Sequence, residues 1–268
     1  MEKLGTDECK RIMIEMLEEI DSFCIEHEIT YYLTGGTLLG AIRHDGFIPW
    51  DDDIDIALLR DDYERLLKEF NSSSGDVAII DFRNRKNYIW PSAKAINKKT
   101  VLIENGNKKA AIGVYLDVFP LDDVPSDLSI ATKYVKRVNR WKKMLMLKHL
   151  NVTKERKIIK NIFVILAKCL YIIPDYLIIS RIDTLSKKYN KKNNCGYVCN
   201  FAGAWGTKEI VKKHVFDKAI KHVFEYKEFP IPIGYHELLS GLYGDYMKLP
   251  PIEKRVTTHK PLVYKKTV

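Results

Sequence analysis

Three things are missing from this 268-residue sequence: a long hydrophobic run, a secretion signal and a cysteine framework. The most apolar stretch, Ile158 to Ile179, is broken by Lys160, Asn161, Lys168, Pro174 and Asp175, too much polarity for a bilayer span. Met1 to Lys10 has no basic-then-apolar signal pattern, so a cytoplasmic protein is expected. The five cysteines (Cys9, Cys24, Cys169, Cys195, Cys199) are scattered and odd in number, which implies no disulfide framework and points to a reducing compartment. Cys195-x-x-x-Cys199, even with His214 or His222, fits the spacing of no common zinc module. Internal repeats and low-complexity tracts are also absent, as are helix-turn-helix, zinc-finger and RNP-like motifs.

What is present is the composition of a folded protein, 46% hydrophobic and 29% charged, with a surplus of cations that gives a net charge of +9. That surplus suits a polyanionic partner: a nucleic acid, a phosphorylated substrate or an anionic membrane surface. With no nucleic-acid motif, and with the cations away from the acidic motif described below, a nucleic-acid-binding protein is the weakest of the three.

Periodicity predicts a helix over Cys9–Glu28, a short strand at Thr30–Leu33 ending in Gly35-Gly36, and a helix opening at Thr37–Ile42. A strand is expected at Ile54–Leu58 and a helix at Asp61–Phe70, with Asp61 or Asp62 as its cap. Further strands are read at Val77–Asp81, Tyr88–Ile96, Val101–Glu104 and Gly113–Phe119, with Pro120–Ser126 as punctuation. A basic helical region follows, then mixed structure that includes a helix from Tyr235. The expected organisation is an α/β (α+β) core over residues 1–125, a helical subdomain over 126–192, and a C-terminal segment, 193–268, returning to the core.

The chemistry concentrates in Ile48-Pro49-Trp50-Asp51-Asp52-Asp53-Ile54-Asp55-Ile56. In an extended chain Asp51, Asp53 and Asp55 share a face, with about 7 Å between successive Cα atoms, while Asp52 faces away. Carboxylates at that spacing repel one another, and a hard divalent ion with oxygen ligands is the natural counter-charge. A bare Asp run is often only a capping turn, but Ile54, Ile56 and Leu58 interleave with these acids as a strand would. Gly35-Gly36 would let backbone approach a phosphate, and the amides opening the next helix could bind its oxygens. Asp117, inside the apolar Tyr115-Leu116-Asp117-Val118-Phe119, is a third acid, and buried Asp is rare unless paired or metal-bound.

These segments resemble the LicD family: Gly36-Thr37-Leu38-Leu39-Gly40-Ala41-Ile42-Arg43, the run from Phe47 to Ile56, Leu116-Asp117-Val118-Phe119-Pro120-Leu121-Asp122, and Leu242-Tyr243-Gly244-Asp245-Tyr246 through Pro250-Pro251 to Arg255 and His259. The resemblance implies a nucleotidyltransferase-like mixed sheet. It also implies transfer of phosphocholine from CDP-choline to a hydroxyl of a teichoic acid or other surface glycan in bacteria. The fukutin relatives carry a similar Asp motif and transfer other phosphoalditols, so ribitol or glycerol phosphate from a CDP donor stays open, as does nucleotidyl transfer from an NTP. Carried over by position, Asp53, Asp55 and Asp117 would hold Mg²⁺ or Mn²⁺, two ions in all, with Asp117 alternatively accepting the hydroxyl proton. Gly35, Gly36 and Thr37 would cradle donor phosphate, with Asp51 as a peripheral ligand or orienter. Arg43, Lys94, Arg255 and His259 would be cations near the phosphates, His259 alternatively a base. A choline ammonium would need aromatic faces, for which Trp50, Trp90, Tyr115, Trp205, Tyr243 and Tyr246 are available and Trp50 is favoured by its place beside Asp51. The basic helices read either as a lid with solvated lysines or as a surface docking on the anionic inner leaflet, where a lipid-linked or polymeric acceptor would be met.

Overall fold

The computed structural model describes residues 2–70, 75–103, 112–150, 164–165, 172–256 and 262–266. His259, Cys169, Glu104 and most of the Ile158–Ile179 run lie outside the described residues.

The chain opens with strand β1 (Glu2–Lys3), helix α1 (Thr6–Glu26), strand β2 (Tyr32–Leu33) and helix α2 (Gly35–His44). Strand β3 (Asp55–Leu59), helix α3 (Arg60–Glu69), and strands β4 (Val77–Ile80), β5 (Ala93–Asn97), β6 (Thr100–Ile103) and β7 (Tyr115–Val124) follow. Helices α4 (Leu128–His149) and α5 (Asp175–Ser186) form a hairpin-like pair. The last elements are β8 (Tyr197–Cys199), β9 (Ile210–Lys212), β10 (Ala219–Phe224), β11 (Lys227–Pro232), helix α6 (Tyr235–Tyr243) and β12 (Leu262–Lys265).

This is the expected α/β class, built on a mixed sheet ordered β2-β3-β7-β5-β4. Only the central pair, β3 with β7, is parallel; β2, β5 and β4 join antiparallel. The parallel pair is buried and reads as an apolar run at Ile56-Ala57-Leu58, as strands covered on both faces do. α1 packs its buried stripe of Met13, Leu17, Ile20 and Cys24 into the same core. Strand β12 pairs with both β1 and β6, bringing the two ends of the chain together.

Several local expectations need correction. Pro120 does not punctuate: β7 runs through it to Val124, because that half of the strand pairs with β3 on one side and with β8 further along. The reason lies in Asp122, fully buried and held by both Nε and Nη2 of Arg60 at 2.7 and 2.5 Å, with Asn190 donating to it at 2.7 Å. Arg60 also reaches Asp183 of α5, so this ion-pair network ties β7, α3 and α5 together. Asp61 and Asp62 do not cap α3; Leu59 holds that position, and Asp62 accepts instead from the Thr30 amide at 3.2 Å. The segment 88–92 is not strand, and the Tyr88 hydroxyl donates to the Ser92 carbonyl at 2.6 Å.

Candidate active site

The acidic segment enters the site as a loop rather than a strand: β3 begins only at Asp55, so Asp51 and Asp53 precede it. The loop is shaped from both sides. α2 ends at Asp45 in the left-handed region (φ 53°), and the Asp51 amide closes a turn onto the Ile48 carbonyl at 2.8 Å. The tip of the β10–β11 hairpin then clamps it: the Glu225 amide donates to Asp45, and the Glu225 carboxylate accepts from the Phe47 amide at 2.9 Å.

The two glycines open α2 directly against this loop. A Cβ on Gly35 would lie 2.7 Å from Asp55 Oδ2, and one on Gly36 would lie 2.5 Å from Asp51 Oδ2. Gly35 is also left-handed (φ 56°), so only glycine admits both the backbone and the carboxylate there. The pair thus makes room for Asp55 and Asp51 at a helix N-terminus, where anions are favoured. The Thr37 hydroxyl is committed to the same corner, accepting from the Asp55 amide at 2.8 Å.

Parallel pairing sets Asp55 and Asp117 in register on adjacent strands, and the Asp117 amide donates to the Ile54 carbonyl at 2.9 Å. Lys94 of β5, buried, pairs with Asp117 at 2.6 Å and lies 3.6 Å from the centroid of the Tyr115 ring. Burial pushes the Asp55 carboxyl well above its ordinary range; the charges of Asp53, Asp117 and Asp51 push it further, and Lys94 partly offsets them. Burial raises Asp51 as well, against the opposing effect of its hydrogen bond with Asp53. Lys94, with Lys10 acting more weakly on Asp51, therefore faces an excess of carboxylates. Such a set of hard oxygen donors fits Mg²⁺ or Mn²⁺ in chemistry and charge, although among the described residues no three acid, imidazole or thiol side chains converge at metal-binding spacing. Cys195 and Cys199 form no such group either; Cys199 is buried and the Cys195 thiol donates to the Tyr189 carbonyl.

Around the acids stand the other predicted residues. Trp50, half-buried, carries the Arg255 guanidinium 5.6 Å from its ring centroid and packs edge-on to His44. Arg43 donates to the Tyr246 carbonyl at 2.7 Å, close enough to Arg255 to feel its charge. Arg43, Trp50 and Arg255 thus form one flank beside Asp51, whereas Lys94 belongs to the carboxylates themselves. Trp90 lies 5.2 Å from Lys94 Nζ.

A second wall joins Tyr243 and Trp205, two of the aromatics singled out in the sequence, to Glu209, which sequence reasoning missed. Tyr243, at the end of α6, has its hydroxyl pKa raised by burial and then by Asp55, Glu209 and Asp51, which places it between the acids and Glu209. Its ring meets Trp205 edge-on at 5.3 Å, and the Trp205 amide donates to Glu209 at 3.1 Å. Glu209 is buried, and that burial lifts its pKa from 4.5 to about 7. Tyr243 was legible from its place in the Leu242–Pro251 motif; Glu209, a single acid in a polar run, carried no signal.

Comparison with known proteins agrees with this arrangement. A family model described as "LicD/FKTN/FKRP, nucleotidyltransferase domain" matches residues 28–159, which include the glycines, the acidic loop, Lys94 and Asp117. Over 97% of both chains the protein is 31% identical to the lipopolysaccharide cholinephosphotransferase LicD of Haemophilus influenzae. It is 28% identical to human ribitol 5-phosphate transferase FKRP over 85 residues, 32% of this chain and 16% of that one. An uncharacterised protein of Rickettsia typhi is 25% identical over 41% of this chain and 34% of its own. With 31% identity to one relative over 97% of both chains, and the glycines, acidic loop, Lys94 and Asp117 inside the family match, the chain belongs to the LicD family and is a phosphotransferase.

Proposed function

We propose that the protein transfers phosphocholine from CDP-choline to a hydroxyl of a cell-surface glycan precursor, a teichoic acid or another polysaccharide, and releases CMP. The observation that carries the reading is the register of Asp55 and Asp117 on the parallel strands, with Asp55 and Asp51 admitted beside the Gly35-Gly36 turn. The H. influenzae relative, a cholinephosphotransferase by name, supports the donor. In this reading Asp53, Asp55 and Asp117 would hold two Mg²⁺ or Mn²⁺ ions, and the ions would supply positive charge at the phosphate oxygens. Alternatively Asp117, beside Lys94, leaves the metal to the other two acids and takes the proton of the attacking hydroxyl. The glycan oxygen bonds to the choline-bearing phosphorus as the bond to CMP breaks in line, and CMP leaves with the electron pair. Arg43 and Arg255 hold the donor's phosphates from the Trp50 flank. Among the described residues no helix is long and apolar enough to cross a membrane, and we place the enzyme in the cytoplasm, at the inner face where a lipid-linked acceptor is presented.

One observation favours a second donor. The Trp50 face already receives a cation, Arg255, which suits an uncharged alditol better than a choline ammonium, and FKRP is a ribitol 5-phosphate transferase by name.

Incubating the protein and Mg²⁺ with CDP-choline, CDP-ribitol or CDP-glycerol and a glycan acceptor tests both readings. CMP release with phosphocholine on the glycan is expected; turnover of CDP-ribitol alone selects the second reading, and pyrophosphate from an NTP overturns both. Trp50→Ala should weaken CDP-choline binding by up to about thirtyfold, as one cation–π contact of up to ~2 kcal/mol implies, and leave CMP binding unchanged.

A further inference from the structure

Helix α4 contains seven lysines and arginines and no acid. Its inner face is core: Ala131, Tyr134, Val135, Val138 and Leu145 pack on Ile178, Ile179 and Ile182 of α5. Its outer face carries Lys133, Lys136, Arg137, Arg140 and Lys143, all exposed, a stripe about 15 Å long at the helical rise. None of these five forms an ion pair with a carboxylate among the described residues. Among the described residues the one carboxylate whose titration any of these five cations shifts is Asp127, beside Lys133, and a row of like charge so little balanced suits an anionic counterpart.

The stripe ends in apolar side chains that face water. Met146 is 60% exposed and Leu147 38%, and beside them at the start of α5 Ile172 is 86% exposed, Tyr176 56% and Leu177 48%. Buried Lys148 joins the two groups, pairing with Asp175 at 2.7 Å and donating to the Ile173 carbonyl at 2.5 Å. Next to this apolar end a cleft of about 560 Å³ opens between residues 82–88 and the Lys148–Asp175 corner, with Arg85 and Lys86 in its wall.

From cations, exposed aliphatic and aromatic side chains, and a basic cleft on one continuous face, we infer that the α4–α5 end docks on a bilayer rich in anionic phospholipid. The stripe lies along the headgroups, and Met146, Leu147 and Ile172 enter the acyl boundary. A nucleic acid would be served by the cations but gives no use to five exposed apolar side chains. A second copy of the chain would set two unneutralised cationic faces against each other. The inference deepens the membrane placement proposed above, yet it rests on this helix pair alone, whatever the donor.

The test is co-sedimentation of the full chain with phosphatidylglycerol/phosphatidylcholine vesicles and with phosphatidylcholine vesicles, with no donor present. Binding to the anionic vesicles only, weakening with added salt, is expected. Each cation contributes about fivefold, so Lys136→Gln with Arg140→Gln should cost roughly 25-fold. Leu147→Ser with Ile172→Ser should weaken binding at every salt concentration while thermal midpoint and CMP release on a soluble glycan acceptor stay unchanged. Equal sedimentation with neutral vesicles or none at all, preference for duplex DNA, or a dimer abolished by the serine pair each overturns the inference. So does a fall in thermal midpoint in the serine pair, which would assign those side chains to the core.

Discussion

Glu209→Gln should stabilise the protein, by an amount that grows from about pH 4.5 to pH 7 and is full above it. Burial raises the Glu209 carboxyl from 4.5 to about 7, so the folded state holds its proton more tightly than the unfolded chain does. Below pH 4.5 both states are protonated and the group contributes its full stability. Between pH 4.5 and 7 the unfolded chain has lost the proton and the folded protein has not, so stability falls as pH rises. Above pH 7 the loss is complete. At 1.36 kcal/mol per pKa unit it amounts to about 3 kcal/mol. The glutamine retains a carbonyl oxygen for the Trp205 amide and removes the charge that burial disfavours. Urea unfolding of both proteins at pH 5 and pH 8 isolates the effect, since every other titrating group cancels in the difference. The variant should gain about 3 kcal/mol at pH 8 and under 1 kcal/mol at pH 5. A loss at pH 8 would mean that Glu209 is ionised in the fold and neutralised by Lys142 of α4, whose charge acts on it, and an equal gain at both values would mean that its pKa is not raised.

The site carboxylates give three more tests. Asp55→Asn should lower turnover by more than about a hundredfold, as loss of a charged group at the reacting phosphate does, yet raise the thermal midpoint without divalent ions, because its charge is disfavoured by burial and by three neighbouring acids. Asp117→Ala should lose activity comparably, whereas Asp52→Ala should keep most of it, since Asp52 is not among the acids whose charge bears on Asp55; parallel initial-rate measurements decide. Gly35→Ala meets both a left-handed backbone and Asp55, and should cost about 1–3 kcal/mol in a denaturant melt. Gly36→Ala meets only the movable Asp51 carboxylate, so it should impair turnover with little change in stability.

The sequence foretold the central strands and helices because their apolar residues recur at periods a reader can count: Met13, Leu17, Ile20 and Cys24 on α1, and Ile54, Ile56 and Leu58 around β3. It foretold the acids because Asp-x-Asp beside a Gly-Gly turn has few structural uses. It did not disclose what the glycines accommodate, since proximity of Gly35 to Asp55 is set by the packing of α2 on the sheet and not by spacing along the chain. Lys94 was expected only as a cation near the phosphates; its pairing with Asp117 follows from β5 lying beside β7, which spacing along the chain does not show. Pro120 and Asp122 mimicked a turn because the burial of Asp122 depends on Arg60, a partner no local window contains. Glu209 was silent for the same reason, its environment being assembled from α4 and the approach to β9.

The parallel pairing of β3 and β7 also fixes when the site can come into being as the chain folds. A hairpin forms from neighbouring residues, but Asp55 and Asp117 meet only after α3, β4, β5 and β6 have been looped out between them. Closing such a loop costs entropy before any contact rewards it, so this pairing belongs to the slow part of folding. Because β7 is bordered by β3 and β5 at once, the step that brings Asp117 to Asp55 also brings Lys94 to Asp117. In the completed sheet the carboxylates are therefore gathered together with their lysine.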